Sequence, residues 1–202
     1  MKNNYNLIYI LCYYVKMKTI NSIYQTQIEL KKSKFISFLV PIDEFKKLHS
    51  KLKEEHFKAS HIVYAYRKLN EFEQIVENSS DDGEPKGAAG NPTLSQLRGE
   101  ELINCAILTV RYFGGTKLGV GGMIRAYSSS AREVILSAKL TEYVKLFEER
   151  ICIDYNQQRQ VEYHFKELAI TSINREFLSN KVCYNIKVSQ DTIQKLKELN
   201  LL

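Results

Sequence analysis

Five of the chain's nine glycines fall between Gly114 and Gly122, directly after the apolar run Cys105–Phe113 and directly before a helical pattern from Met123 to Leu140. A β-branched and aromatic run, a glycine cluster and an amphipathic run in that order read as strand, tight turn and helix. Such a junction can aim backbone N–H groups and a helix N-terminus at an anion. Arg111, Lys117 and Arg125 punctuate the same stretch, so it points to binding before it points to chemistry. The alternative use of the glycines is structural: tight turns and close packing of helix on sheet.

Nothing in the composition suggests an unusual class. With 202 residues, 44% hydrophobic and 26% charged, the chain is long enough for two small domains with buried cores. Its net charge of +6 is uneven: residues 1–60 carry 11 Lys and Arg against 5 Asp and Glu, whereas residues 146–202 balance. A basic first part favours polyanions. Cys12, Cys105, Cys152 and Cys183 form no C-x-x-C pair, so reduced thiols and a cytoplasmic protein are expected. Leu7–Val15 is apolar, but nine residues fall short of the roughly 20 that span a bilayer, and no membrane association is expected.

The pattern divides the chain into an extension over 1–16, a first domain over 17–140 and a second over 141–202. In the first, strands are expected over Glu29–Ile42, His61–Lys68, Phe72–Glu77 and Cys105–Phe113. A helix follows Asp43, and another starts at Thr93, whose Gln96 partner makes a capping-box pattern. The second domain reads β-α-β-β-α, the order of a ferredoxin-like unit, with only Asn200–Leu202 left for a final strand. Its sheet is therefore expected to have an open edge.

Nucleotide signatures fail in detail. Ile124 stands where a third Rossmann glycine belongs, and Leu118 follows Gly115-Thr116-Lys117 where a Walker loop needs Ser or Thr. The loop Ser79–Pro92 holds Asp81, Asp82, Gly83 and Glu84, with Gly87 and Gly90 behind them. Three carboxylates in four residues can hold Mg²⁺. They can equally cap turns while Glu84 pairs with an arginine. Arg125, read as lying in a first helical turn, opposes the helix dipole unless it meets a phosphate or one of these carboxylates.

At these residues a resemblance emerges. Ser80-Asp81-Asp82-Gly83-Glu84-Pro85-Lys86-Gly87-Ala88-Ala89-Gly90 and Arg111–Tyr127 closely resemble the paired signatures of the YigZ/IMPACT family, with Lys31–Phe35 and His61–Tyr66 as earlier landmarks. Lys86, Ala88 and Met123 depart from the usual serine, threonine and leucine. The resemblance implies an α/β first domain with a four-stranded sheet and helices on one face, like domain IV of elongation factor G. It implies a ferredoxin-like second domain similar to domain V of that factor. Eukaryotic relatives regulate translation initiation by competing for an activator of a kinase.

The expected function is therefore binding of RNA or the ribosome in translation regulation, without catalysis and without a cofactor. Arg111, Tyr112, Gly114, Gly115, Lys117, Gly121, Gly122 and Arg125 are the expected anion-binding residues, with no catalytic or metal-ligating residue assigned. Two other classes stay open: an enzyme acting on a phosphorylated or nucleotide ligand, with Mg²⁺ at the aspartate loop, and a protein-interaction module using the second domain's edge.

Overall fold

The computed structural model describes residues 17–202, so the extension over 1–16 with Leu7–Val15 and Cys12 lies outside the described residues. The chain divides after Tyr143 into two compact units. In the first, β1 (Lys18–Thr19) pairs with a short strand near the unit's end, and five further strands build the main sheet. These are β2 (Tyr24–Leu30), β3 (Ser33–Pro41), β4 (His61–Leu69), β5 (Ile75–Ser80) and β6 (Cys105–Tyr112), in the antiparallel order β2-β3-β6-β4-β5. Three helices cover it: α1 (Ile42–Glu55), α2 (Gly90–Gly99) and α3 (Val120–Leu136). The partner of β1 is β7 (Thr141–Glu142).

The α/β class is as expected, and two features go beyond the four strands with helices on one face. First, the expected strand over Glu29–Ile42 is the second half of a hairpin, and β2 supplies a fifth strand. Lys31 and Lys32 form its two-residue turn with φ of 48° and 65°. Turns of that kind usually announce themselves by Asn-Gly or Gly-Gly, and a Lys-Lys pair gives no such signal. Second, the helices lie on both faces. Period-two alternation along β6 sends Ala106, Leu108 and Val110 to one side, where they join Leu52 and Phe45 of α1. Cys105 and Ile107 point the other way, to Leu94 and Leu97 of α2 and Ala131 and Val134 of α3. With both faces covered, the central strand can be apolar at nearly every position.

Most polar groups in this core are matched, the exceptions among the described residues being Thr26 Oγ1 and Arg111 Nε. The Ser37 hydroxyl lies 2.7 Å from both Thr109 Oγ1 and Ser130 Oγ, tying β3, β6 and α3 together. Buried Arg67 donates to Glu77 and to the carbonyls of Leu97 and Leu102, satisfying backbone at the end of α2.

The second unit has β8 (Phe147–Asp154), α4 (Gln158–Glu167), β9 (Ile173–Phe177), β10 (Lys181–Val188) and α5 (Gln190–Glu198). Its sheet order is β8-β10-β9, all antiparallel. Val161 and Phe165 of α4 and Ile193 and Leu196 of α5 pack on Ile151, Val182, Tyr184 and Ile186. The element order matches the expectation. Among the described residues no strand pairs with the outer edge of β8.

The cysteines correct the sequence reading. Cys152 and Cys183 face each other across β8 and β10 and form a disulfide, their Cα atoms 4.1 Å apart. Strand register brings together two residues whose spacing in sequence gives no hint of pairing. Cys105 is a free thiol, buried in the first unit, and burial pushes its pKa up to about 12. Reduction of the disulfide should destabilise the second unit by about 2–4 kcal/mol. Hydrogen exchange in β8 and β10, measured with and without dithiothreitol, checks this; exchange in β3 and β6 should not change.

Candidate functional site

The aspartate loop links β5 to α2, and each of its carboxylates has a separate task. Asp81 accepts from the backbone N–H groups of Gly87, Ala89 and Gly90 at 2.7, 3.0 and 2.8 Å. Two of these are the opening N–H groups of α2, so Asp81 caps a helix that begins nine residues later. Partial burial pushes the Asp81 pKa up, but the three hydrogen bonds outweigh it and hold the carboxyl below its ordinary value. Thr93 is not the cap. It lies inside α2, where its hydroxyl donates to the Ala89 carbonyl, because the helix starts at Gly90. A side chain at Gly90 would come within 3.1 Å of Ser79 and Ser80, so glycine lets α2 begin close against the end of β5 without displacing it.

Asp82 adopts φ 45° and fixes the loop to β4: its Oδ2 accepts from Ile62 N–H at 2.6 Å and its carbonyl accepts from His61 Nδ1 at 2.7 Å. Gly83 follows at φ +87°, packed on the His61 ring. The chain thereby turns Glu84 inward. Glu84 Oε1 accepts from Arg111 Nη1 at 2.5 Å and from the Tyr127 hydroxyl at 2.7 Å, while Oε2 lies 3.8 Å from His61 Nε2. Burial first, and then the Glu84 charge, push the Tyr127 pKa well above its ordinary value, so the phenol remains a donor. The two glycine-rich signatures therefore meet at one buried carboxylate.

This arrangement redistributes the expected anion-binding residues. Arg111 is 5% exposed; its guanidinium is held by Glu84, contacts Met123 Sδ and lies over the rings of Phe35 and Phe113. It is a buried partner, with no surface from which to reach a phosphate. Tyr112 points to the opposite face by strand alternation, and its hydroxyl pairs with His56 Nδ1 at 2.8 Å beneath α1. Lys117 and Arg125 are exposed, and Arg125 forms no ion pair among the described residues. Because α3 begins at Val120 rather than Met123, Arg125 lies beyond its first turn and opposes the helix dipole less than the sequence suggested.

The glycines divide by purpose. A Cβ at Gly114 would overlap the backbone of Lys32 and Ser33, so the glycine loop packs directly on the β2–β3 turn. Gly114 N–H also donates to Ser33 Oγ at 3.2 Å. Gly115 and Gly119 supply φ of +83° and +69° on either side of Lys117. Gly122 is buried against Leu118, and Gly121 is exposed beside Arg125. Sequence reasoning gave Tyr127, His61, Lys31 and Lys32 no individual role. All four stand within the quoted signatures, but only the tertiary packing of Gly114 on Lys32 shows what the lysines adjoin.

Chemically, Asp81 and Glu84 are occupied by protein donors. Among the described residues no three His, Cys, Asp or Glu side chains are placed to hold a metal ion together. Glu84→Gln should destabilise the first unit by about 3–5 kcal/mol, since it strands the buried Arg111 charge. Tyr127→Phe should cost less, about 1.5–3 kcal/mol for one hydrogen bond to a charged group. Urea unfolding measures both. The lowered Asp81 pKa adds stability that is complete above the unfolded value near ~3.9 and lost as pH falls through the lower folded value. Below about pH 4, Asp81→Asn should therefore show a shallower fall in stability than the parent chain.

The Impact N-terminal domain matches residues 31–135, which contain the whole of this site. The chain is 31% identical over 171 residues to an IMPACT family member of Haemophilus influenzae, covering 82% of each protein. It is 31% identical over 185 residues to the IMPACT family member YvyE of Bacillus subtilis, covering 90% of this chain and 81% of that one. A crystal structure described as a hypothetical protein superposes with a TM-score of 0.63 at 25% identity, covering 89% of this chain and 88% of that chain. With the domain match, the relatives and the paired loops in agreement, the chain belongs to the IMPACT family.

Proposed function

We propose that this chain is an RNA- or ribosome-binding factor with a regulatory role in translation. The observation that carries the reading is the packing of Gly114 against Lys32 and Ser33. It sets the exposed Lys31-Lys32 turn beside the exposed loop that holds Lys117, at one end of the main sheet. Arg125 adds a cation from the exposed side of α3. From Arg111 to Arg132 the chain has no Asp or Glu, and α3 starts without an acidic residue in its first turn or a side-chain cap. A concentrated positive surface of this kind binds the phosphate backbone with little regard for sequence. The likeness to elongation-factor domains that the family resemblance implies makes the translation apparatus the natural source of that phosphate.

The magnesium-enzyme alternative loses its support, because all three of its carboxylates are engaged by protein donors. The protein-interaction alternative keeps one specific observation, the outer edge of β8, unpaired among the described residues. Nuclease treatment separates it from the leading reading, since a strand-added protein partner survives digestion and an RNA-mediated one does not.

Joint substitution of Lys31, Lys32, Lys117 and Arg125 by alanine should weaken RNA binding and flatten its dependence on salt. Each lost phosphate contact should reduce the slope of log K against log salt by about 0.7–0.9. Titration of labelled RNA at several salt concentrations measures this, and an unchanged slope would refute the assignment of these four residues.

A further inference from the structure

The same end of the sheet presents two aromatic rings to solvent. After α1, residues 56–60 cross to the end of β6: Ser60 N–H donates to the Arg111 carbonyl at 2.8 Å, and Phe113 N–H donates to Ser60 Oγ at 3.3 Å. Phe57 and Phe113 therefore stand on adjoining loops. Phe57 is 76% exposed and Phe113 50%. Leaving two such rings in water forgoes a large burial gain, since each has some 150–250 Å² to hide.

Charge distinguishes these rings from the other highly exposed ones: Tyr163 follows Glu162 and Phe177 follows Glu176. Phe72, at the β4–β5 turn, is flanked by Glu71 and Glu73, which would repel a polyanion. Phe57 is followed by Lys58, whose Nζ lies 5.5 Å from its ring centre. Residues 31–35, 56–60 and 113–119 contain Lys31, Lys32, Lys34, Lys58 and Lys117, and no Asp or Glu. Phe113 is also held in place from within. The Arg111 guanidinium lies over its ring at 5.9 Å and is itself fixed by Glu84. The buried pair thus supports one side of a ring that remains half exposed.

We propose that the RNA taken by this surface is single-stranded, with unpaired bases stacking on Phe57 and Phe113 and Lys31, Lys32, Lys58 and Lys117 meeting the phosphates. This rests on the RNA-binding reading above and adds the class of RNA to it. Bases within a duplex are already stacked on one another, whereas a single strand offers free π-faces to aromatic side chains. Stacking on rings needs no particular base, so the surface selects strandedness and tolerates sequence.

The test uses the full chain and two fluorescein-labelled probes of about 15 nucleotides, long enough for such a site: oligo(A), and the blunt oligo(A)·oligo(U) duplex. Anisotropy titrations at one salt concentration should show the single strand bound at least about tenfold more tightly than the duplex. Combined Phe57→Ala and Phe113→Ala should weaken single-strand binding by at least about tenfold and leave duplex binding nearly unchanged. Combined Phe57→Tyr and Phe113→Tyr should retain it, because tyrosine also stacks. The proposal is overturned if the duplex binds as tightly as the single strand, if the alanine variant binds the single strand like the parent, or if the tyrosine variant fails as the alanine variant does. In each of those cases, continued loss of binding in the Lys31, Lys32, Lys117 and Arg125 variant leaves the broader RNA reading standing. A parent chain that binds neither probe sinks both.

Discussion

The first unit is organised around a buried carboxylate. Glu84 arrives on an irregular loop, and a charge in that position is costly unless donors surround it. Arg111 and Tyr127 supply them, one from the end of β6 and one from α3. The loop can deliver Glu84 only because its own backbone is held elsewhere: Asp81 gathers three N–H groups at the start of α2, and Asp82 ties the loop to β4. Three separate parts of the chain must be in place before the charge is satisfied. The arrangement therefore specifies one loop geometry more than it adds net stability, as expected where ion pairs are buried.

The same constraint explains why the glycines and the acidic loop occur as a pair. Arg111 is the residue before last in β6, and the chain must leave the sheet at once to return as α3, which carries Tyr127. Gly114 lets that exit pass flat across the Lys31-Lys32 turn, and Gly115 and Gly119 supply the left-handed conformations that bring the helix start back over the sheet. The two signatures communicate through Glu84, which Arg111 and Tyr127 meet from either side of the glycine loop.

Much of this was legible in the sequence, and what was missed has physical causes. The β6–turn–α3 unit was visible because apolar run, glycines and amphipathic run each carry a strong local signal. The sequence offers Glu84 an arginine partner, but it places both Arg111 and Arg125 among the anion-binding residues and gives Arg125 either a phosphate or one of the loop carboxylates. Alternation within β6 decides the matter: Arg111 shares the face of Cys105 and Ile107, which is covered by α2 and α3. Its neighbour Tyr112 falls beneath α1 for the same reason. Neither assignment can be made until both faces of the strand are known to be covered. The β2–β3 hairpin hid behind a turn with no glycine, and the Asp81 cap acts across the loop, where the local capping pattern at Thr93 could not reveal it.

In the proposed single-strand reading, Arg111 leaves the surface and still takes part in recognition. Its buried end answers Glu84, and its flat face lies against Phe113, which opens to solvent beside Lys117. A rigid ring loses little freedom when a base settles on it, whereas a mobile lysine loses much. Lys31, Lys32, Lys58 and Lys117 are all long, exposed and individually weak, so orientation must come from a part of the surface already fixed. In that reading the buried pair supplies the fixed part, and a residue read from the sequence as a phosphate contact is the positioning residue for an aromatic one.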